Sequence, residues 1–247
     1  MKTAVIAPLG LSPPAITSFI DGIGAPVSDL VIIATDNNMV LAGADFLSAG
    51  LSSKYPWLRI HTEVLSFDDI SNNEENFTFM SLAAHNIRRE REDFNCDRIF
   101  LNCAGGRKNE CVTLALLGQI LQVDGVFHIV NKNVSVLNER LEYLRKDILE
   151  FFGLNEEARD RLYEKKKSEY DALLFPLRSG YEIIRIPTLP FPDDYLVYLI
   201  HSISNSGAGM EKSDLELMVS HGIFDKIGNN YEVTPHGQAL LEVLIGK

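Results

Sequence analysis

The chain has 247 residues, of which 46% are hydrophobic and 23% are charged, as in globular proteins. Its formal net charge of −11 argues against broad, nonspecific binding to nucleic acid or to an anionic membrane, and leaves room for one local basic pocket. Three cysteines without CxxC spacing predict neither a zinc site nor a disulfide framework. No segment has the pattern of a signal peptide or a membrane span, so we expect a cytoplasmic protein. From the cysteine spacing we also expect no bound metal.

Buried strands and helices alternate along the chain. Apolar runs predict six strands, at residues 3–9, 29–35, 57–65, 98–103, 125–130 and 181–187. Helical patterns follow the first four strands, at about residues 15–20, 39–53, 77–93 and 111–121, and residues 68–76 have the polarity of a loop. This alternation predicts an α/β fold with a Rossmann-like, doubly wound and mostly parallel six-stranded sheet. His128, in the fifth strand, is expected to be a half-buried structural histidine.

Two glycine-containing loops link strands to helices. After the first strand, residues 10–14 are Gly-Leu-Ser-Pro-Pro, and Ser12 is placed as the N-cap of a helix whose first residue is Pro13. After the fourth strand, residues 105–108 are Gly-Gly-Arg-Lys at the start of another helix. Cations at this end of a helix oppose its dipole, so they fit best where an anion docks. The other interpretation is an ordinary tight turn with exposed charges.

The expected position of these loops favours a phosphate site. In the usual doubly wound order, the strand order reverses between the first and fourth strands, and ligands bind there, outside the carboxyl ends of the strands. The two loops would then lie side by side. Their spacing is neither the GxGxxG of dinucleotide-binding proteins nor the GxxxxGK[ST] of P-loop enzymes, so nicotinamide cofactors and ATP hydrolysis lose support. We expect no cofactor.

A helical insertion is predicted at about residues 133–172. It contains one amphipathic helix and a second, charged helix that spans about residues 156–170. The second helix carries Lys165, Lys166 and Lys167. This triplet is either a solvated helix face, which the residues alone favour, or part of a lid that brings a lysine over the ligand.

A change of pattern near the prolines at 190 and 192 predicts two domains, residues 1–188 and 189–247. The second domain has the outline of a winged helix. Its predicted parts are a helix at 193–204, a capping box at Ser213–Glu216, a second helix ending at Gly222, a hairpin of strands 223–227 and 231–234, and a last helix capped by Thr234.

The charge of the winged helix argues against DNA binding. Residues 193–247 contain eight acids and three lysines, and no arginine. Neutralising phosphates supplies most nonspecific DNA affinity, so the field here has the wrong sign. We interpret this domain as a structural or dimer-contact module rather than a DNA reader.

Together these features resemble those of the CRISPR-associated Rossmann-fold (CARF) proteins, and most of all the stand-alone ring nucleases. The features are the Leu-Gly-x-Ser-Pro loop, the Gly-Gly-Arg-Lys loop, the helical insertion and the acidic winged-helix tail. The resemblance implies a homodimer that binds cyclic oligoadenylate, usually cyclic tetra-adenylate, across its two-fold axis. It also implies metal-independent cleavage of the ring to linear di-adenylates with a 2′,3′-cyclic phosphate, which switches off type III CRISPR antiviral signalling.

The resemblance assigns roles to individual residues. Ser12 matches a loop serine that orients the ribose and the scissile phosphate. An insertion lysine stabilises charge on the phosphate, and Lys167 is the candidate, with Lys165 and Lys166 as alternatives. Lys108 is a candidate for both catalysis and binding. The candidate ligand-binding residues are Gly10, Leu11, Thr35, Gly105, Gly106, Arg107 and Lys108.

Three other functions stay open on the sequence. A CARF transcription regulator would sense the same ligand and bind DNA through the winged helix, which the acidic tail disfavours. A CARF-gated effector ribonuclease would need a further helical domain with an arginine–histidine motif, and no such motif follows residue 188. A binding protein without cleavage would only sequester the ligand.

Overall fold

The computed structural model describes residues 1–189 and 191–246, apart from the side chain of Asp193. Pro190, in the predicted domain boundary, and Lys247, one of the tail's three lysines, lie outside the described residues. The strands are β1 (Thr3–Leu9), β2 (Asp29–Ala34), β3 (Arg59–Val64), β4 (Arg98–Asn102), β5 (Gly125–Asn131), β6 (Tyr181–Ile186), β7 (Phe224–Ile227) and β8 (Asn230–Val233).

Six strands form one sheet in the order β3-β2-β1-β4-β5-β6. The first five are parallel, and β6 runs antiparallel to β5. Strand order reverses between β1 and β4, where Thr3 pairs with Arg98 and Ile6 with Leu101. β1 and β2 are buried along their whole length, as expected for central parallel strands covered on both faces. The predicted fold class is confirmed.

Helices cover both faces of the sheet and enclose two apolar cores. One core packs beneath α1, α2 and the insertion helices, and the other beneath α3 and α4. The helices are α1 (Pro14–Gly22), α2 (Asn38–Lys54), α3 (Asn73–Glu92), α4 (Lys108–Ile120), α5 (Val134–Leu149), α6 (Glu156–Lys165), α7 (Lys167–Leu174), α8 (Asp193–Ser204), α9 (Lys212–Ser220) and α10 (Pro235–Ile245).

Helix α3 begins earlier than predicted. Asn72 caps it, because its Oδ1 accepts a hydrogen bond from the Glu75 N–H at 2.9 Å, and Glu75 Oε2 accepts one from the Ser71 N–H at 2.6 Å. This arrangement satisfies donors that the start of a helix leaves free. The predicted loop at 68–76 is therefore wrong beyond residue 72.

The helical insertion packs on α2 through aromatic rings. Phe46 of α2 lies against Phe151, Tyr163 and Tyr170, with ring centroids 5.2, 6.0 and 5.2 Å away. The predicted single helix over 156–170 is wrong. It breaks into α6 and α7 at Lys166, whose φ of −129° and ψ of 30° are not helical.

The tail forms the predicted winged-helix outline, with α8, α9, the β7–β8 hairpin and α10 around a small apolar core. Thr234 caps α10 as predicted, since its Oγ1 accepts a hydrogen bond from the Gly237 N–H at 2.9 Å. The predicted capping box at Ser213 is wrong. The N-cap of α9 is Glu211, two residues before the predicted Ser213, and no side chain caps the helix.

Helix α10 also belongs to the core beneath α3. Val243 is 1% exposed and packs in the same cluster as Phe79 of α3. Arg88 of α3 donates hydrogen bonds to the carbonyls of Val243 and Leu244, at 2.9 and 2.7 Å, and so satisfies acceptors that a helix end leaves free. Among the described residues, no helix combines the length and apolarity that crossing a bilayer requires.

Candidate functional site

The two glycine loops meet at the carboxyl end of the sheet, as the sequence predicted. The Gly10 N–H donates a hydrogen bond to the Gly105 carbonyl at 2.6 Å. Asn102, at the end of β4, is fully buried, and its side chain donates to the Ala15 carbonyl in α1 at 2.9 Å. The point where strand order reverses therefore brings the β1–α1 and β4–α4 loops into direct contact.

Close packing between the loops explains their glycines. A Cβ atom at Gly105 would lie 2.4 Å from the Pro8 carbonyl oxygen, and one at Gly10 would lie 2.7 Å from the Gly105 carbonyl oxygen. At Gly106, a Cβ atom would lie 2.4 Å from Glu110 Oε2. Side chains at these positions would therefore push the loops apart, whether or not a ligand is present.

Three helices point their N-termini at this edge of the sheet. Helix α1 begins after Pro13, α4 begins after Arg107, and α2 begins after Asn37, whose Oδ1 accepts a hydrogen bond from the Met39 N–H at 3.0 Å. Free N–H groups and aligned peptide dipoles at helix N-termini favour anions. The local field therefore suits a phosphate, although the whole chain is acidic.

Ser12 does not cap α1 as predicted. The N-cap residue is Pro13, and no side chain caps this helix. Within the part of the chain that the structure describes, the Ser12 hydroxyl has no hydrogen-bond partner. It lines a cavity between the loops and α5, and is thus available to a ligand.

A small cavity of about 250 Å³ lies over the contact between the loops. Six of the seven predicted ligand-binding residues line it, and the seventh, Lys108, is exposed beside it at the start of α4. Lys108 forms no ion pair with any described residue. The lining residues are Leu9, Gly10, Leu11, Thr35, Asn37, Val40, Asp68, Gly105, Gly106, Arg107 and Glu110.

Acidic side chains lie at and beside this cavity: Glu110 lines it, and Asp69 pairs with the lining residue Arg107. The Arg107 guanidinium lies 3.2 Å from an Asp69 carboxylate oxygen, and both side chains are largely exposed. Glu110 is 1% exposed, and its Oε2 accepts a hydrogen bond from the Arg107 N–H at 2.6 Å. Burial raises the pKa of Glu110, and the hydrogen bond from Arg107 offsets only part of that effect. The sequence analysis missed both Asp69 and Glu110. A glutamate three residues after the N-cap, as Glu110 is after Arg107, is a capping signal that could have identified the second.

A larger cavity of about 550 Å³ adjoins the first and shares Leu11, Gly105 and Gly106 with it. Its far wall is one face of α5, where Arg145 pairs with Glu142. The amphipathic pattern of this helix predicts Arg145 on its charged face, opposite the leucines. Its spacing from the apolar residues was the signal that could have found it. The α5 residues that line the cavity are Asn138, Leu141, Glu142, Arg145 and Ile148.

The structure does not bring Lys167 to the site. Its Nζ donates hydrogen bonds to Ser53 Oγ and Glu164 Oε1, both at 2.7 Å. Ser53 lies near the end of α2, whereas Met39 at the start of α2 lines the larger cavity. Fourteen residues of helix separate the two by about 20 Å. Within one chain, Lys167 therefore lies away from both cavities, and its predicted catalytic role stays a prediction.

The alternative insertion lysines, Lys165 and Lys166, also do not line the cavities. Lys166 Nζ lies 2.7 Å from an Asp147 carboxylate oxygen, and Lys166 lines neither of the two cavities. Lys165 lines neither of the two cavities. His128 is satisfied as predicted, because its Nδ1 lies 3.1 Å from the Cys103 carbonyl, but it is exposed rather than half-buried.

Comparison with family models decides the affiliation of the chain. The model of CRISPR-associated protein NE0113 (Cas_NE0113) matches residues 12–209, about four fifths of the chain. The chain belongs to this family. A second model, the CARF-associated HTH, matches residues 193–246 of this NE0113-family protein, which is the winged-helix tail. Comparison with curated protein sequences gave no significant match.

The solved structures that resemble this NE0113-family protein have low sequence identity to it. Enterococcus italicus Csm6 bound to cyclic hexa-2′-fluoro-hexa-dAMP is 13% identical, with a TM-score of 0.48 over 99% of this chain and 54% of that one. Can2 from Sulfobacillus thermosulfidooxidans, in complex with cyclic tetra-adenylate, is 11% identical, with a TM-score of 0.39 over 98% and 63%. Protein VC1899 from Vibrio cholerae is 9% identical, with a TM-score of 0.41 over 94% and 75%. The chain thus spans about half to two thirds of the length of the first two.

Proposed function

We propose that this protein is a ring nuclease that binds cyclic tetra-adenylate and cleaves it to linear di-adenylates with a 2′,3′-cyclic phosphate. The observation that carries the proposal is the convergence of three helix N-termini on the two contacting glycine loops. Membership of a CRISPR-associated family and the CARF-associated tail support a signalling oligonucleotide as the ligand of the candidate site. Cleavage of the ring would switch off type III CRISPR signalling.

The proposed reaction needs few parts from the protein. The ligand's 2′-oxygen attacks the adjacent phosphorus, the bond from phosphorus to the 5′-oxygen breaks, and the proton of the 2′-hydroxyl ends on that 5′-oxygen. Neither water nor an oxidant is consumed. The protein must align the attacking and leaving oxygens and stabilise the charge that develops on the phosphate. No metal enters the step.

Residues on the two cavities fit these tasks. Ser12 presents a hydroxyl that no described residue of the chain bonds, so we assign it to orient the ribose or the scissile phosphate. Arg107 and Lys108 supply positive charge from the β4–α4 loop, and Arg145 supplies it from α5. Arg145 replaces Lys167 as the insertion cation in this proposal.

A homodimer would give the ring a matching site. Four phosphates related by a two-fold axis need each cationic loop twice, and a symmetric dimer presents every surface in two copies. Each protomer would then hold two phosphates and direct one cut, so that one ring yields two di-adenylates. We also propose that residues 1–188 form the ligand-binding domain and residues 189–247 the winged helix.

The CARF-associated HTH match supports a second candidate, a ligand-sensing transcription regulator. The position of α9 in the winged helix is the one that usually enters the DNA major groove. Lys212, its one cation, lies 3.8 Å from Glu216 on the same helix. This acidic helix has little to offer phosphates, so we rank the regulator below the ring nuclease. Binding without cleavage is the third candidate.

Incubation with the ring tests the first candidate directly. Purified protein is mixed in excess with cyclic tetra-adenylate in EDTA, and the nucleotides are separated by chromatography over time. We expect di-adenylate with a cyclic phosphate from the wild type, and slower product formation from Ser12→Ala. An intact ring that co-elutes with the protein would leave a sensor, and absence of binding would overturn both. Binding to duplex DNA at low salt, strengthened by the ring, would favour the regulator.

A further inference from the structure

Helix α5 presents the side-chain amide of Asn138 to the larger cavity. Asn138 lines this cavity, is exposed, and has no hydrogen-bond partner among residues 1–189 and 191–246. It shares its helix face with Leu141 and Arg145, three and seven residues further along. The amide is therefore free to bond a ligand that enters beside the glycine loops.

The rest of the larger cavity is mainly apolar. Its side-chain walls come from the β1–α1 loop, the start of α2 and α5, and they leave polar groups at only a few points. Apolar walls with a few placed polar groups are typical of sites for small organic ligands. The apolar lining residues are Leu11, Pro13, Met39, Leu141 and Ile148.

The two adjoining cavities differ in the ligand chemistry that they suit. The smaller one lies where helix N-termini favour phosphate, and the larger one offers flat apolar contact and an amide. Leu11, Gly105 and Gly106 border both, so one nucleotide can reach from one cavity into the other. Phosphate at the loops would direct the attached base towards α5.

We infer that the larger cavity holds a nucleobase of the ligand and that Asn138 selects adenine by hydrogen bonds to its 6-amino group and N7. This assignment rests on the proposed function, because it takes the ligand to be an oligonucleotide. An asparagine amide offers one donor and one acceptor side by side, which match the N7 acceptor and the 6-amino donor of adenine. Asn138 is thus a specificity-determining residue, separate from the residues that hold phosphate.

Hypoxanthine, the base of inosine, tests whether Asn138 selects adenine. It differs from adenine at position 6, where a carbonyl acceptor replaces the amino donor. The N7 and the 6-carbonyl oxygen of hypoxanthine are both hydrogen-bond acceptors. In either orientation of the Asn138 amide, one of these acceptors would face the amide oxygen, which is also an acceptor, and that pair would repel. A matched pair of this kind discriminates by roughly tenfold or more per base.

The experiment compares cyclic tetra-adenylate with cyclic tetra-inosinate as ligands of the full-length protein. Equilibrium affinities are measured for the wild type, Asn138→Ala and Asn133→Ala. Asn133 is the matched control, because it lines a different cavity, on the other side of α5. Unfolding midpoints of the three proteins are measured alongside, and we expect them to agree, since both side chains are exposed and make no hydrogen bond to any residue that the structure describes.

We expect the wild type and Asn133→Ala to prefer the adenylate ring at least tenfold, and Asn138→Ala to bind the two rings within about twofold of each other. An unchanged preference in Asn138→Ala would overturn the assignment, as would a preference lost only in Asn133→Ala. A wild type that binds both rings equally would also overturn it. In these cases the proposed function stands, because the ring still binds. Failure of the wild type to bind either ring would instead overturn the proposed function.

Discussion

Charged side chains gather at both ends of the parallel strands, but the two ends use them differently. At the amino end, Asp29 and Glu90 are buried, and Arg59 donates hydrogen bonds to both carboxylates at 2.5 Å. Ser28 and Cys96 also donate to Asp29. At this end, therefore, the charges are largely neutralised by one another.

At the carboxyl end, the charges face outward. Arg107 and Arg145 are more than half exposed, and each is held by one exposed carboxylate. Ser12 and Asn138 have no hydrogen-bond partner in the described part of the chain. The polar groups that a ligand could use at this end are thus either without a described partner, as in Ser12 and Asn138, or held only by an exposed carboxylate, as in Arg107 and Arg145.

This difference separates stability from binding. The ligating atoms of Asp29, Glu90 and Cys96 lie within 4.8 Å of one another, a spacing that could hold a metal ion. Arg59 already supplies positive charge to both carboxylates, and the pKa of the Cys96 thiol is raised to about 12 by burial and by Asp29. This cluster is better explained as a structural support than as a site. Four substitutions test the distinction.

Replacing Arg59 should have the largest effect, and that effect should be on stability alone. Arg59→Met leaves the buried carboxylate of Asp29 without its cation and that of Glu90 with only Arg89, at 4.0 Å, which costs about 3 kcal/mol of unfolding free energy. Arg161→Met is the matched control, since Arg161 forms an exposed pair with Glu157, and we expect a loss of at most about 0.5 kcal/mol. Urea denaturation measures both. A variant as stable as the wild type would contradict the structural role of the cluster.

Replacing Arg145 should weaken ligand binding without changing stability. A charge-assisted hydrogen bond to phosphate is worth about 1.5–3 kcal/mol, so Arg145→Ala should lower the affinity for cyclic tetra-adenylate at least about tenfold. Lys167→Ala should leave affinity unchanged, because Lys167 lies at the other end of α2. Isothermal titration of the two variants is decisive. Equal losses would restore Lys167 to the site, through the partner protomer.

Replacing Glu110 should remove a pH dependence. Because burial raises the pKa of Glu110 in the folded state, its contribution to stability is present below the unfolded pKa and is lost as pH rises through the folded pKa. Glu110→Gln keeps an acceptor for the Arg107 N–H and should gain stability relative to wild type as pH rises, by about 1.4 kcal/mol per unit of pKa difference. Unfolding curves at about pH 5 and pH 8 test this. A constant difference between the two proteins would refute it.

Replacing Asp69 should have the smallest effect. Asp69→Asn frees Arg107 from an exposed ion pair worth about 0.2–1 kcal/mol, so affinity for the ring should rise about two- to fivefold at low salt. Asp225→Asn, in the wing, changes net charge equally and should not alter affinity. The gain should shrink as salt is added. Weaker binding by Asp69→Asn would mean that this carboxylate itself helps to hold the ligand.

The main outline of the fold could be predicted because local patterns and topology agree. Continuous apolar runs identified β1 and β2, and the alternation of strands with helices determined the order that brings Gly10 beside Gly105. Boundaries were less certain. A polar run hid the start of α3, because its Asn72 cap and Glu75 resemble loop residues in the sequence.

The candidate site was only half predictable. The loop residues follow from strand order, whereas the contribution of the insertion depends on how three helices pack. Arg145 belongs to the charged side of the amphipathic helix α5, so only its position between Leu141 and Ile148 in the cavity wall reveals it. The break at Lys166 has no glycine or proline to signal it, and Tyr163 and Tyr170 pack on Phe46 only because the chain turns there.

The contact between α10 and α3 has a consequence for how the protein folds. Val243 packs in the same apolar cluster as α3. Arg88 donates hydrogen bonds to the carbonyls of Val243 and Leu244, which lie more than 150 positions later in the sequence. During synthesis, this cluster stays incomplete until α10 has left the ribosome. The apolar side of α3 that α10 covers therefore stays exposed until then, and its closure, which joins distant parts of the chain, is expected to be a late folding step.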